Sequence, residues 1–338
     1  MHAAFGTIPD NYKFGVDLIE FFTSFSGTIE EGKAEVEEVL EYAKTNDFLY
    51  EQETIVLYAF LLLHLDNNQA AAWELLNTSK FDPTENPLAA FSMANVAMRT
   101  GLNDKAIEIL SNRPKGKKYH PFPYLDFMLA NAKMRRLDED ANLHFLDFLD
   151  GFKGLHFIKE SYQRLSWDAI IKDDMPLFYK YNELLLANGS AETGGDKNAQ
   201  LDAKIPVIHH KALLKSRLLF DGGYYQKGYE VLKNMSSDDF NDERSKLEFT
   251  YRLGRILHKL KKYHSAISFY DKTIENGSNK PRYFACNSAL QNGLLFEELN
   301  QYEEAKSYYK KCLSIKPKEH KTGLHQQAKA GLSRIGKR

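Results

Sequence analysis

Cysteine is nearly absent. Cys286 and Cys312 are the only two in 338 residues, too few for a disulfide framework and too far apart for a CxxC unit, so both are read as small buried residues. Valine is scarce as well, 7 against 42 leucines, and a chain poor in β-branched residues lacks the material that pleated sheets favour. Ten prolines and 20 glycines are few enough to leave long helices intact. No long apolar run exists: the longest, Ile55 to Leu63, has nine residues, well short of the roughly 20 that span a bilayer. Neither sign of charge is in surplus, with 45 basic and 46 acidic side chains and a net charge of −1. Taken at face value, that balance argues against a dedicated nucleic-acid or anionic-membrane binder. What remains is a leucine-rich, all-α chain whose aromatic residues, 13% of the total, supply bulk for helix-on-helix packing.

Motifs that carry chemistry are also missing. GxSxG, HExxH and a local Cys/His pairing do not occur, and no enzyme, metal site or cofactor is expected. Gly189 followed by Gly194, Gly195, Asp196 and Lys197 has the glycines of a phosphate loop. However, Gly195 and Asp196 stand where Lys and Ser/Thr are required, and no strand precedes them. His209 and His210 are adjacent, about 100° apart on a helix, and are read as polar helix surface rather than as ligands of one ion. The carboxylate clusters Asp138-Glu139-Asp140, Asp173-Asp174 and Asp238-Asp239 fall at expected turns or helix starts, where acids cap helices and meet the positive end of the macrodipole.

Against these absences stands a repeat. Gly293, Phe296, Ala305, Tyr309, Cys312 and Pro317 fall at offsets 0, 3, 12, 16, 19 and 24. Small residues on each of two antiparallel helices let them approach, a large aromatic fills the gap, and proline stops the pair. One unit upstream, Gly254, Leu257, Ala266 and Tyr270 repeat the spacing. Weaker copies centre on Glu20, Ala59, Ala94, Leu129, Leu165 and Ser216, each with a marker twelve residues on. Intervals between centres run from 35 to 39 residues, except for one of 51. That long interval holds the Gly- and Ser-rich stretch 188–208, read as a loop or hinge. The expected organisation is divergent helix pairs over 1–187, the hinge, stronger units over 209–317, and a capping helix with a basic tail over 318–338. In that last segment Leu324, Ala328, Leu332 and Ile335 share one face.

These offsets resemble the tetratricopeptide-repeat (TPR) superfamily. Scattered blocks, among them 162–167, 189–199, 216–225, 251–255 and 328–332, are similar to a group of bacterial TPR proteins that look related to eukaryotic tetratricopeptide repeat protein 39. The resemblance implies a right-handed superhelical solenoid of about eight antiparallel helix pairs with a C-terminal capping helix. It also implies a non-catalytic scaffold that binds a protein or peptide segment in the concave groove lined by the first helices. Groove positions then include Tyr251, Arg252, Arg255 and Lys259 around Gly254, Arg217 and His210 around Ser216, and Tyr162, Asn95 and Arg99 in earlier units. Arginine holds carboxylates bidentately and tyrosine offers rigid area with a polar tip, so an acidic or C-terminal peptide is the sharper expectation. The Lys and Asn clamp of chaperone-tail binders is not reproduced, because Leu290, Gln291 and Leu294 follow in the next unit. A helical-repeat RNA binder is the alternative from another class. It needs basic side chains recurring along the groove, which Arg252, Arg255 and Lys259 provide over one unit only, so no nucleic-acid partner is expected. Self-association is a third reading. As the chain stands it is read as cytoplasmic, or as periplasmic or envelope-associated if an export signal lies upstream.

The net charge conceals a split. Residues 1–110 carry 6 basic and 18 acidic side chains, residues 111–243 carry 19 and 20, and residues 244–338 carry 20 and 8. An array that keeps sequence order as spatial order becomes an electrical dipole inclined to weak head-to-tail contact. Sedimentation tests this: the mean mass is expected to fall as ionic strength rises past about 0.1 M, where screening sets in near 10 Å, and an unchanged profile rejects head-to-tail association.

Overall fold

A helix whose leucines and alanines recur on one face must bury that face against another helix. The computed structural model describes residues 27–66, 68–204 and 207–336, and among these are seventeen α-helices, one 3₁₀ turn (Ser237–Asp239) and no strand. In chain order they are α1 (Ile29–Thr45), α2 (Glu51–His64), α3 (Gln69–Thr78), α4 (Pro87–Arg99), α5 (Asn103–Ser111), α6 (Tyr124–Arg136), α7 (Ala141–Gly151), α8 (Ile158–Ile171) and α9 (Met175–Ala187). There follow α10 (Gly194–Lys204), α11 (Lys211–Asp221), α12 (Tyr225–Leu232), α13 (Glu243–Lys259), α14 (Tyr263–Gly277), α15 (Phe284–Glu298), α16 (Tyr302–Ser314) and α17 (Lys321–Gly336). The pairs α2–α3, α4–α5, α8–α9, α11–α12, α13–α14 and α15–α16 each pack together, as in a TPR-like array. The repeat centre at Glu20 lies outside the described residues. No helix among the described residues is long and apolar enough to cross a membrane.

The chain divides into two compact units, one running to Lys133 together with Leu146–Phe152, the other formed by Met134–Phe145 and Lys153–Arg338. In the first, alanines make close approach possible: Ala90, Ala94 and Ala97 of α4 meet Ala72 and Leu76 of α3 and Ala106 and Leu110 of α5 in one core. An aromatic series, Phe60, Phe91, Phe122 and Tyr124, runs beside it, with successive ring centroids 5.8–6.4 Å apart along Phe60–Phe91–Phe122 and 6.1 Å for Phe91–Tyr124. Arg113, in a stretch that reads as a polar interruption, is in fact buried, donating to the Leu110 carbonyl at 2.6 Å and pairing with Asp126.

In the second unit the sequence-marked small residues do the work expected of them. A Cβ built on Gly254 would lie 2.7 Å from the Tyr270 ring, and one on Gly293 would lie 2.5 Å from the Tyr309 ring. Each tyrosine, on the second helix of its pair, therefore lies flat against a backbone that has no side chain. The turns match too, with Lys261 and Asn300 at φ 57° and 60° seven residues after those glycines. Tyr309 also touches Gly331 of α17, where a Cβ would approach to 2.4 Å. The Tyr309 hydroxyl donates to Glu297 at 2.6 Å, and Glu297 accepts from Arg334 of α17 at 2.9 and 3.0 Å. One ring thus seats the last helix, whose Leu324, Ala328 and Ile335 are buried.

The stretch 188–208 corrects the expectation of a loop or hinge. Residues 194–204 form α10, which packs on both α8 and α9. The supposed phosphate-loop residues explain it. Asp196, fully buried, accepts from the Phe157 and Glu160 backbone amides at 2.7 and 3.0 Å, thereby capping α8 from 39 residues away, while the Thr193 hydroxyl donates to it at 2.7 Å. This is the helix-start chemistry of an N-cap, supplied in trans along the chain. Gly195 is bare because a Cβ there would strike the Glu160 carboxylate at 2.0 Å. Lys159 answers at the other end, its buried ammonium donating to the Leu185 carbonyl of α9 at 2.8 Å.

The glycine contacts generate a test. Gly293→Ala overpacks Tyr309 at a cost of about 1–3 kcal/mol, more than alanine's helix propensity returns. Gly323→Ala, at a position with nothing within 4 Å, gains up to about 1 kcal/mol. Thermal denaturation is expected to lower Tm for the first and hold or raise it for the second.

Candidate functional site

In the second unit the first helices of the last two pairs, α13 and α15, lie side by side, and α17 continues the row. Between them opens a cavity of about 410 Å³ lined by Tyr251 and Arg255 of α13, Tyr283 and Asn287 at the start of α15, and His320, Gly323, Leu324 and Gln327 at the start of α17. Local structure aims these side chains. Asp242 caps α13 by accepting from the Ser245 amide at 2.9 Å, and Lys318 donates its amide to the Pro281 carbonyl at 2.8 Å, drawing the α17 start toward that of α15. Tyr251 is buried, and its hydroxyl accepts from Asn287 Nδ2 at 2.7 Å. Tyr283 meets the Tyr251 and His320 rings edge-on, with centroids 5.7 and 5.1 Å apart.

Arg255 is the charged group of this cavity. Its guanidinium stacks over the Phe220 ring at 4.1 Å and stands 5.8 Å from the Tyr251 centroid, and among the described residues no carboxylate lies within 4 Å of it. Aromatic faces hold the cation in place without neutralising it, so its fork of donors stays available to an anion.

Its neighbour Arg252 is engaged elsewhere. Arg252 is 5% exposed and donates through Nε and Nη2 to Glu248 at 2.8 and 2.5 Å along one turn of α13. Burial pushes the Glu248 carboxyl up, but Arg252, His209 and Arg244 together outweigh it and set it at about 2. His209 is not helix surface. It is buried just before α11, edge-on to Trp167 at 5.6 Å, and burial, reinforced by Arg217, Arg244 and Arg252 against the pull of Glu248, lowers it to about 3.

The remaining expected groove residues are scattered. Lys259 is exposed at the end of α13. Arg217 stacks on Trp167 at 4.7 Å with Asp221 at 3.9 Å. His210 caps α11, its Nδ1 accepting from the Ala212 amide at 3.3 Å. Tyr162 lies 6.4 Å from the Tyr181 ring. Asn95 and Arg99 belong to α4 of the other unit, where Arg99 Nε donates to Asn95 at 3.1 Å. The cavity thus unites Tyr251 and Arg255 with four polar or aromatic residues that the sequence reading passed over: Tyr283, Asn287, His320 and Gln327. Asn287 stands six residues before Gly293, as Glu248 stands six before Gly254, so the signal was one helical turn ahead of the positions inspected. Among the described residues no group of three His, Cys, Asp or Glu side chains converges to hold a metal.

Compared with known families, residues 247–276 and 290–319 match the tetratricopeptide repeat. No curated protein matches the chain.

The buried cluster beside the cavity generates a pH prediction. Native His209 titrates far below its unfolded value near 6.5, so below that pH the unfolded chain binds more protons and stability falls as pH falls. The slope is up to about 1.4 kcal/mol per pH unit until about 3. Glu248, held below its unfolded value near 4.5, stabilises fully above that pH and adds its own loss only between about 4.5 and 2. Urea midpoints between pH 7 and 4.5 are therefore expected to drop for the wild type and to flatten in His209→Gln. An equal slope in both would remove His209 as the cause.

Proposed function

Starting from two tetratricopeptide repeats at 247–276 and 290–319, we propose that the chain is a non-catalytic interaction scaffold that takes an extended, acidic peptide segment in the groove lined by α13, α15 and α17. Repeats of this kind generally mediate protein–protein interaction, and groove recognition is the use to which a row of first helices is suited. The observation that carries the reading is Arg255, a cation held on two aromatic faces with no carboxylate within 4 Å, on the wall of an open cavity of about 410 Å³. The adjoining Arg252 is already neutralised by Glu248, so Arg255 alone of the two offers its donors outward. A ligand carboxylate would meet Arg255, with Asn287 and Gln327 to hydrogen-bond a peptide backbone and Tyr283 and His320 to pack beside it.

A charge-assisted hydrogen bond of this type contributes about 1.5–3 kcal/mol, which is roughly ten- to hundredfold in affinity. Peptides selected from a random library on the full chain are expected to carry an acidic residue or to depend on their C-terminal carboxylate. They should then lose at least about tenfold in affinity for Arg255→Gln while its Tm stays within a few degrees. Arg252→Gln answers a different question, because it strands buried Glu248 and lowers stability. Selected peptides without acid dependence, or bound equally by Arg255→Gln, would overturn the reading.

A further inference from the structure

Cys286 and Cys312 have no part in the groove reading, yet the fold brings them together. Cys286 stands on α15 and Cys312 on its partner α16, both are fully buried, and their sulfurs are 3.6 Å apart. Around them lie Ala289, Ala305, Tyr309 and Ala328, an apolar surround that includes one helix of the cap. The polar atoms they meet are backbone carbonyls, those of Cys312 at 3.5 Å and Ile315 at 3.9 Å for Cys286, and that of Leu324 at 3.9 Å for Cys312. A disulfide needs its sulfurs at about 2.05 Å, so a closure of about 1.5 Å separates this pair from a bond. Side-chain rotation with a small shift of two directly packed helices provides it. Nothing about packing alone requires two sulfurs to face each other, since alanine or valine would fill the same space.

We propose that Cys286 and Cys312 form an oxidisable dithiol, a modification site that a small peroxide converts into an internal disulfide tying α15 to α16. In the first step the Cys286 sulfur, as thiolate, attacks one peroxide oxygen. The O–O bond breaks, Cys286 becomes a sulfenic acid, and the other oxygen leaves as hydroxide and takes up the thiol proton to give water. In the second step the Cys312 sulfur attacks the Cys286 sulfur, the S–O bond breaks, and the oxygen leaves as water with the Cys312 proton. Two thiols and one hydrogen peroxide thus give one disulfide and two waters, the sulfur pair losing the two electrons that the peroxide gains.

The geometry sets the order of events. Cys312 donates its S–H to Cys286, which holds the Cys286 thiol below its ordinary value and pushes the Cys312 thiol up. Cys286 is therefore the attacking sulfur, and Cys312, already near the distance of a reacting pair, captures the sulfenic acid before a second peroxide can. Burial selects the oxidant: a molecule the size of peroxide enters during local opening, whereas a bulky disulfide such as oxidised glutathione is excluded.

The test treats the full chain with hydrogen peroxide, blocks residual thiols, and maps the digest without reduction. The expected product is a linked pair of peptides carrying Cys286 and Cys312, about 2 Da lighter than the two free peptides together and separated again by dithiothreitol. Oxidation is expected to raise Tm by about 5–10 °C, because the closed loop restrains the unfolded chain. In Cys312→Ser the resolving sulfur is gone, and Cys286 is expected to proceed to the sulfinic acid, about 32 Da heavier. Sulfinic acid on either cysteine of the wild type, or two cysteines still blocked as free thiols after the surface methionines have been oxidised, would overturn the proposal.

Discussion

Everything in the C-terminal repeats follows from one contact, a tyrosine ring laid on a helix that has no side chain to receive it. Tyr270 on Gly254 and Tyr309 on Gly293 set how near the two helices of each pair approach, and that spacing decides where the next first helix must stand. Tyr309 extends the logic by one element, since its opposite side is covered by Gly331 of α17 and its hydroxyl reaches the Glu297–Arg334 ion pair. The cavity wall is the result. Were the pairs splayed by a methyl group, the starts of α15 and α17 would not converge on Tyr251.

The electrostatics of this region are those of partition. Two arginines three residues apart on α13 meet different fates because one faces the buried side of the helix and the other lies over Phe220. Arg252, inside, could not remain charged without Glu248, and the pair is stable only as a pair. Arg255, half-buried on aromatic faces, keeps its charge without a carboxylate partner. A helix carries both arrangements because positions three apart differ by about 300° around its axis, enough to move a side chain from core to groove rim.

Much of the fold was legible in the sequence, and unevenly so. Offsets from Gly254 and Gly293 are set by packing, which leaves an imprint at fixed spacing, and the weaker centres from Ala59 to Ser216 likewise fall in first helices. The stretch 188–208 was illegible because glycine and serine there signal close approach, not looseness: Gly195 clears room for Glu160, and Asp196 is a cap for a helix 39 residues earlier. No local pattern announces a cap that distant. Half of the cavity was likewise hidden. Tyr283 and His320 lie just before helices, outside the periodic positions, and Arg252 looked like Arg255 in sequence because only the packed structure distinguishes a paired arginine from one without a carboxylate partner.

The Asp196 cap changes how this part of the chain must fold. In an ordinary repeat array each helix pair touches only its neighbours, so order can begin anywhere and spread like a zipper. Here the first turn of α8 waits for a carboxylate from α10, and Lys159 of that same turn fastens the end of α9. The three helices close a ring of mutual dependence in which none is complete before the others. Residues 157–204 thus form a cooperative block, a place where propagation pauses until three elements condense together. An array that could fray one pair at a time has, at this point, a knot of all-or-none structure.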